Sequence, residues 1–266
     1  MKEKNKLLLA SVIIVNYNNK NYIQRCINSI KKQSYKMIEI IFVDDHSTDN
    51  SFSMIRKSKS IKIIKTTKRK RTYFGSYNQM NSYYEGFVKS KGQIIFFLDS
   101  DDFFKKNKVK KIINRFNHNP NIEIIFDLPI LVDKNKSLRK VFKQRNTTIF
   151  NWPRYTSQSC ISVTRNYAKE LFNRVCLRKF PDIWFDFRIA CYSFIKLKKI
   201  EIFYDYLTFY RIKDSSASSK FKTFNKNWWK RRYQAHNFFD YLCEKNNEVK
   251  RFTLDKLITN LINIFI

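Results

Sequence analysis

An α/β fold, with a mostly parallel sheet flanked by helices, is what the sequence predicts, and three observations carry the prediction. Short apolar runs of strand length recur along the first half of the chain. Segments of helical period separate them. Two of the runs end abruptly in clusters of aspartate. Strands alternating with helices imply right-handed crossovers and a sheet covered on both faces, whose ligands bind beyond the carboxyl ends of the strands.

The elements follow in order. Residues 8–15 read as a buried strand, and Tyr22, Ile23, Cys26, Ile27 and Ile30 then recur at helical spacing. Residues 38–43 form the second strand, ending in Asp44-Asp45-His46-Ser47-Thr48-Asp49, and residues 61–64 the third. After a basic run over 65–71 comes a helix with Tyr77, Met80, Tyr84, Phe87 and Val88 on one face. Residues 93–98 are the fourth strand, closed by Asp99-Ser100-Asp101-Asp102. Val109, Ile112, Ile113 and Phe116 mark a further helix, and residues 122–127 a further strand. The second half is less regular: an aromatic loop over 150–155, helices over 166–175 and 182–194, a strand near Ile200, a Ser-rich turn over 215–219 and a basic aromatic helical tail.

Composition bounds the function. With 43% hydrophobic and 17% aromatic residues in 266, the chain buries a real core and is not disordered. The net charge of +31 attracts polyanions, anionic surfaces and phosphorylated ligands. Part of the lysine excess, beside only three glycines, reflects a bias like that of an AT-rich genome. Five cysteines without a C-x-x-C pair argue against a disulfide framework or a zinc site and read as buried thiols. The apolar run near the N-terminus is too short to span a bilayer.

The two acidic clusters are concentrated in a chain with only 22 acidic residues. Crowded carboxylates raise one another's pKa unless a cation neutralises them, and Mg²⁺ or Mn²⁺ bound by oxygen ligands and substrate phosphates does so. The competing reading, strongest for Asp49 and Asp102, is helix N-capping. The dispersal of Lys over every segment, without a recognised binding motif, speaks against nucleic acid as the partner, although a basic nucleic-acid-binding protein without catalytic activity is the alternative of a different class.

Three segments together carry a family resemblance. Ser11-Val12-Ile13-Ile14-Val15-Asn16-Tyr17-Asn18, the cluster opening with Val43-Asp44-Asp45, and the run from Gly92 through Asp99-Ser100-Asp101-Asp102 stand in the order and spacing of family 2 glycosyltransferases, which the chain resembles well over 8–130 and more faintly to 219. The resemblance implies a GT-A (Rossmann-like) catalytic domain and a metal-dependent, inverting transfer of sugar from a nucleotide diphosphate donor, UDP-linked, to a saccharide or lipid-linked acceptor. It implies Val15 and Tyr17 flanking the donor base, with Asp45 accepting from its ring N–H and Asp44 nearby. It further implies Asp99 at the ribose or metal, and Asp101 on the metal (Mn²⁺ or Mg²⁺) that bridges the diphosphate.

In the second half, residues 181–188 keep the family's spacing from a catalytic Asp to an Arg six residues on, making Asp182 the general base, with Asp186 as the alternative. Tyr210-Arg211-Ile212-Lys213 resembles the family's loop near the diphosphate, giving Arg211 and Lys213 that role. The chain departs where Tyr83-Tyr84 replace a polar pair, where Pro181 replaces an acidic residue, and where Lys213 replaces a frequent histidine. The expected organisation is a nucleotide-sugar-binding part over 8–130, an acceptor-side part over 131–219 and a tail over 220–266. The place of work implied is the cytoplasmic face of the cell membrane, building cell-surface polysaccharide or lipopolysaccharide, with Trp228 to Arg232 in contact with anionic lipid.

Overall fold

The computed structural model describes residues 7–67, 75–133, 138–140, 152–213 and 220–266. Its first half is built as expected. Strands β1 (Ala10–Asn16), β2 (Ile38–Asp44), β3 (Lys62–Lys65) and β4 (Ile94–Asp99) pair in parallel in the order β3-β2-β1-β4. Beyond β4 the sheet turns mixed. The next strands in the order, β8 (Ile161–Thr164), β6 (Ile124–Val132) and β9 (Ile202–Arg211), lead to β5 (Phe103–Phe104), while β7 (Leu138–Lys140) pairs with β6. Strand β8 runs antiparallel to both β4 and β6, whereas β9 is parallel to β6.

The pleat sends alternate side chains to opposite faces, and the sequence fills both. Val12 and Ile14 of β1, with Phe96 and Leu98 of β4, pack against α1 (Lys20–Lys31) and α4 (Lys108–His118). Ile13, Val15, Ile95 and Phe97 face the other layer, which holds α3 (Ser76–Lys89), α5 (Arg165–Val175), α6 (Phe185–Leu197) and α7 (Lys226–Lys245). Helix α2 (Ser51–Ile55) contributes Ile55 to the first layer. Helix α7 buries Phe238, Phe239 and Leu242 in the second core, and α8 (Leu254–Ile264) packs on α7. Among the described residues no helix is long and apolar enough to cross a membrane.

One expected helix face is rotated. Helix α3 buries Met80, Tyr83 and Phe87 and leaves Tyr84 and Val88 exposed. The reason is close packing at Gly86, where a Cβ would lie 2.4 Å from Ile13 Cγ2. Only a glycine lets the helix approach β1 so closely, and the approach fixes which side chains turn inward. Tyr83 thereby reaches the end of β4.

Candidate active site

The loops after β1 and β2 are tied together by one buried amide. Asn16 Nδ2 donates to Asp44 Oδ1 at 2.9 Å, to Ser47 Oγ at 3.0 Å and to Ser51 Oγ at 2.8 Å. Asp44 also accepts from the backbone N–H and hydroxyl of Ser47. It is fully buried, so its carboxylate shapes the loop from within. Asp45 follows, accepting from Thr66 Oγ1 at 3.0 Å, while Tyr17 stands exposed and Val15 is buried beneath it in β1. Asp49 does act as a local cap: it accepts from the backbone N–H groups of Lys20 and Ser51, bonds that hold its carboxyl below the usual range against the cost of burial.

At the end of β4 the second cluster is dense. Oxygens of Asp99, Asp101 and Asp102, one from each, lie within 4.8 Å of one another. Asp99 accepts from Gln79 Nε2 at 2.9 Å, Tyr83 Oη at 2.8 Å and Gln158 Nε2 at 2.5 Å. Ser159 Oγ accepts from the Asp99 N–H and donates to Asp102 Oδ2 at 2.6 Å, and the Arg211 N–H fills Asp102 Oδ1 at 2.8 Å. Asp102 is therefore no helix cap but the joint between the end of β4, the turn that precedes β8 and the end of β9.

Lys213 Nζ lies 2.5 Å from Asp101 Oδ2 and donates to Asn19 Oδ1 at 2.8 Å, and the Arg211 guanidinium reaches the Asp101 carbonyl at 3.1 Å. Burial, reinforced by Asp101's charge, lifts Asp99 to about 6; burial and both neighbouring carboxylates push Asp102 well above the usual range. Three carboxylates facing one lysine are short of positive charge, and a hard divalent cation fits that donor set. Asp99 and Asp102 already accept from neutral donors through both oxygens. Among the described residues, Lys213 is the partner that the Asp101 carboxylate has.

The segment before α6 differs from expectation. The helix begins at Phe185, with Trp184 extended (φ −65°, ψ 150°), so Asp182 lies three residues ahead of it rather than opening it. Arg188 is the physical cause. Fully buried, its guanidinium donates to the carbonyls of Val175 (2.7 Å), Leu177 (3.2 Å), Phe180 and Ile183 (3.3 Å). By binding the last carbonyl of α5 together with three carbonyls of the segment that follows, the arginine braces the loop between α5 and α6. The spacing of Asp182 to Arg188 thus joins a carboxylate to the group that fixes its loop.

Asp182 forms a reciprocal pair with Gln234 of α7: its N–H donates to Gln234 Oε1 at 3.1 Å, and Gln234 Nε2 donates to Asp182 Oδ2 at 2.7 Å. Asp186, in the first turn of α6, accepts from the Phe187 N–H; burial lifts it to about 7, and the charge of Asp99 adds to the rise. Beside both carboxylates lies Arg231, buried against the rings of Trp184 and Phe221, with its own pKa lowered by burial to about 9. Arg232 pairs with Asp255, so of the basic residues 230–232 only Lys230 is exposed.

The structure thus gathers Asp99, Asp101, Arg211 and Lys213 at one place, sets Asp45, Val15 and Tyr17 at the neighbouring strand ends, and carries Asp182 and Asp186 on the loop and first turn of α6. The serine turn over 215–219, most of the basic run beyond residue 67, and residues 150–151 lie outside the described residues. Sequence reasoning named Tyr83 only as replacing a polar residue, although its hydroxyl bonds to Asp99, and missed Asn19, Gln79, Gln158, Ser159 and Gln234. These are neutral hydrogen-bonding groups in no motif, and only the fold shows them converging on the carboxylates.

Comparison with known proteins gives the family and the fold. The family described as Glycosyl transferase family 2 matches residues 11–176. An uncharacterized glycosyltransferase of Nostoc sp. is 33% identical over 134 residues, covering 50% of this chain and 41% of that protein. The poly(ribitol-phosphate) beta-N-acetylglucosaminyltransferase TarP of Staphylococcus aureus is 25% identical over 265 residues, covering 95% and 79%. The crystal structure of S. aureus TarS residues 1–349 in complex with UDP-GlcNAc superposes with a TM-score of 0.62 at 18% identity, covering 86% of this chain and 64% of that one, which establishes the GT-A fold. The chain spans about two fifths of the length of several curated relatives it matches. With more than half of its residues inside the family match, and with both acidic strand ends of that match at one edge of the sheet, the chain belongs to glycosyl transferase family 2.

Proposed function

We propose that the chain transfers a sugar from a UDP-linked donor to a hydroxyl of a saccharide or lipid-linked acceptor, with inversion at the anomeric carbon, in the synthesis of bacterial cell-surface polysaccharide at the cytoplasmic face of the membrane. The observation that carries the reading is the meeting of Asp99, Asp101 and Asp102 with Arg211 and Lys213 at the carboxyl end of β4. Carboxylates for a cation and cations for a diphosphate stand side by side there. Its relatives support the reading: TarS is described in complex with UDP-GlcNAc, a UDP-linked donor, and TarP is by its name an N-acetylglucosaminyltransferase whose acceptor is poly(ribitol-phosphate).

In this reading Val15, Tyr17 and Asp45 frame the donor base, with Asp44 holding their loop. Asp101, assisted by Asp99, holds Mn²⁺ or Mg²⁺, which when bound offsets the negative charge that grows on the departing diphosphate. Arg211, at the end of β9, and Lys213, two residues beyond it, face the same phosphates. Asp182 takes the proton from the acceptor hydroxyl while Gln234 fixes its second oxygen, so the sugar moves in one displacement. A second reading gives that proton to Asp186, because a carboxyl lifted to about 7 is well matched to proton transfer near neutral pH.

Calorimetry with UDP, GDP and TDP, each with and without Mn²⁺, tests the proposal. UDP is expected to bind most tightly, only with the cation, and Asp101→Ala is expected to remove most of that binding. Equal affinity of parent and variant with and without Mn²⁺ refutes the metal site, and a product that retains anomeric configuration refutes the single displacement.

A further inference from the structure

Helix α8 is amphipathic, yet it is seated on the body with its polar side. Asp255 accepts from Arg232 Nε at 2.7 Å and from His236 Nε2 at 2.9 Å; Lys256 pairs with Asp240 at 2.5 Å; Asn263 Nδ2 donates to the Trp229 carbonyl at 3.2 Å; and Thr259 is the buried residue of the helix. The opposite stripe, Leu254, Leu257, Ile258, Leu261, Ile264 and Phe265, is left outward with exposures from 39% to 84%. A surface helix normally does the reverse, turning its apolar stripe to the core. The polar seating fixes the orientation by ion pairs, so the outward stripe is a property of the fold and not a loosely placed helix end. An exposed apolar patch of this kind marks an interaction surface.

What covers it is indicated by charge. Arg251 and Lys250, the latter paired with Glu244, stand in the segment just ahead of the helix, Phe252 and Val249 are exposed beside them, and exposed Lys230 lines the groove at its other end with Asn260 and Ile264. The chain carries +31, so two copies brought face to face through this surface repel one another, while an anionic surface is attracted. Eleven residues of helix extend about 16 Å, far short of the roughly 30 Å of a hydrocarbon core. Such a helix lies along the headgroup boundary with its apolar stripe down.

We propose that α8 is the surface by which the protein docks on an anionic lipid bilayer, its outward leucine and isoleucine stripe entering the headgroup–acyl boundary and the flanking basic residues meeting the lipid phosphates. This relocates the membrane contact expected of Trp228 to Arg232, where Arg231 is buried and Arg232 is committed to Asp255. It does not depend on sugar transfer. Docking there sets α7, and with it the Gln234 that holds Asp182, close to the membrane surface.

Flotation of the full chain with phosphatidylcholine vesicles, with and without phosphatidylglycerol, tests it. The parent is expected to float with the phosphatidylglycerol vesicles and to be released by high salt, and Leu257→Gln/Leu261→Gln to partition about tenfold less. Both residues are exposed, so UDP binding by the variant is expected to match the parent and serves as the check on folding. As an independent readout, an environment-sensitive dye on Leu261→Cys is expected to shift to the blue with those vesicles. Equal flotation of parent and variant, failure of the parent to float, or a parent dimer that the double variant converts to monomer overturns the proposal, the last assigning the stripe to a second copy.

Discussion

The loops at the ends of β1 and β2 are held by bonds of moderate sequence separation, whereas the end of β4 and the loop ahead of α6 are held across much longer stretches of the chain. Asn16 gathers Asp44, Ser47 and Ser51 over separations of 28 to 35 residues. By contrast, Asp182 depends on Gln234, 52 residues away, Asp102 on Arg211, 109 away, and Lys213 reaches Asn19 over 194. The nearer set joins the ends of two adjacent parallel strands, each of which carries its residues as a local motif. The long-range set is assembled only when β9 and α7 have been laid against the sheet, so its parts are spread through segments with no signature of their own.

The largest expected effect breaks this comparison at the loop ahead of α6 alone. Asp182→Asn is nearly isosteric but cannot accept a proton, and is expected to lower turnover by roughly 10² to 10⁴ while UDP affinity by calorimetry stays at the parent value. Asp186→Asn is the partner experiment. If it is the dead enzyme and Asp182→Asn transfers sugar at the parent rate, the base lies in the first turn of α6 and the loop residue is a positioning one.

Next in size is the buried link between the two halves. Lys108 of α4 meets Asp127 of β6 at 2.7 Å, with both side chains fully buried, and also donates to the Ser159 carbonyl and the Thr208 hydroxyl. Removing one partner of such a pair leaves an uncompensated buried group. Lys108→Met is expected to lower stability by about 3 to 5 kcal/mol in urea denaturation. It is also expected to loosen UDP binding in the protein still folded, because Ser159 bonds to both Asp99 and Asp102.

A smaller effect sharpens the point where the halves touch. Lys213→Met removes the cation on Asp101 and is expected to weaken UDP binding in the presence of Mn²⁺ about tenfold, roughly 1.4 kcal/mol, without changing the far-UV circular dichroism. A gain in Mn²⁺ affinity without a loss for UDP shows instead that the lysine only fills the cation position when the donor is absent.

The division explains what the sequence made legible. The parallel strands β1 to β4 and the acidic ends of β2 and β4 were readable because apolar runs and aspartate clusters are local patterns. The face of α3 was misjudged because Gly86, rather than periodicity, sets its rotation against β1. The start of α6 was placed at Asp182 because nothing local reveals that Arg188 braces the loop between α5 and α6 through four preceding carbonyls. The inward polar face of α8 is legible only once Arg232, His236 and Asp240 of α7 are known to meet it.

The smallest effect is in pH, and it asks whether the carboxyl in the first turn of α6 feels the carboxylates at the end of β4. Asp186 is lifted from 3.8 to about 7 by burial, with the charge of Asp99 contributing. Between these two values the folded state binds a proton that the unfolded chain does not, so Asp186 adds stability as pH falls and loses it as pH rises through the folded value. From pH 7 to pH 6 this amounts to at most about 1 kcal/mol. Urea midpoints of the metal-free parent are therefore expected to rise over that interval by more than those of Asp186→Asn, whose side chain has no proton to gain. Removing the second charge as well, in Asp99→Asn, is expected to leave an Asp186 contribution centred at lower pH, because one of the causes of its lift has gone. Parallel pH slopes for the parent and Asp186→Asn show that the carboxylate is solvated like any surface group, and that the first turn of α6 is electrically separate from the end of β4.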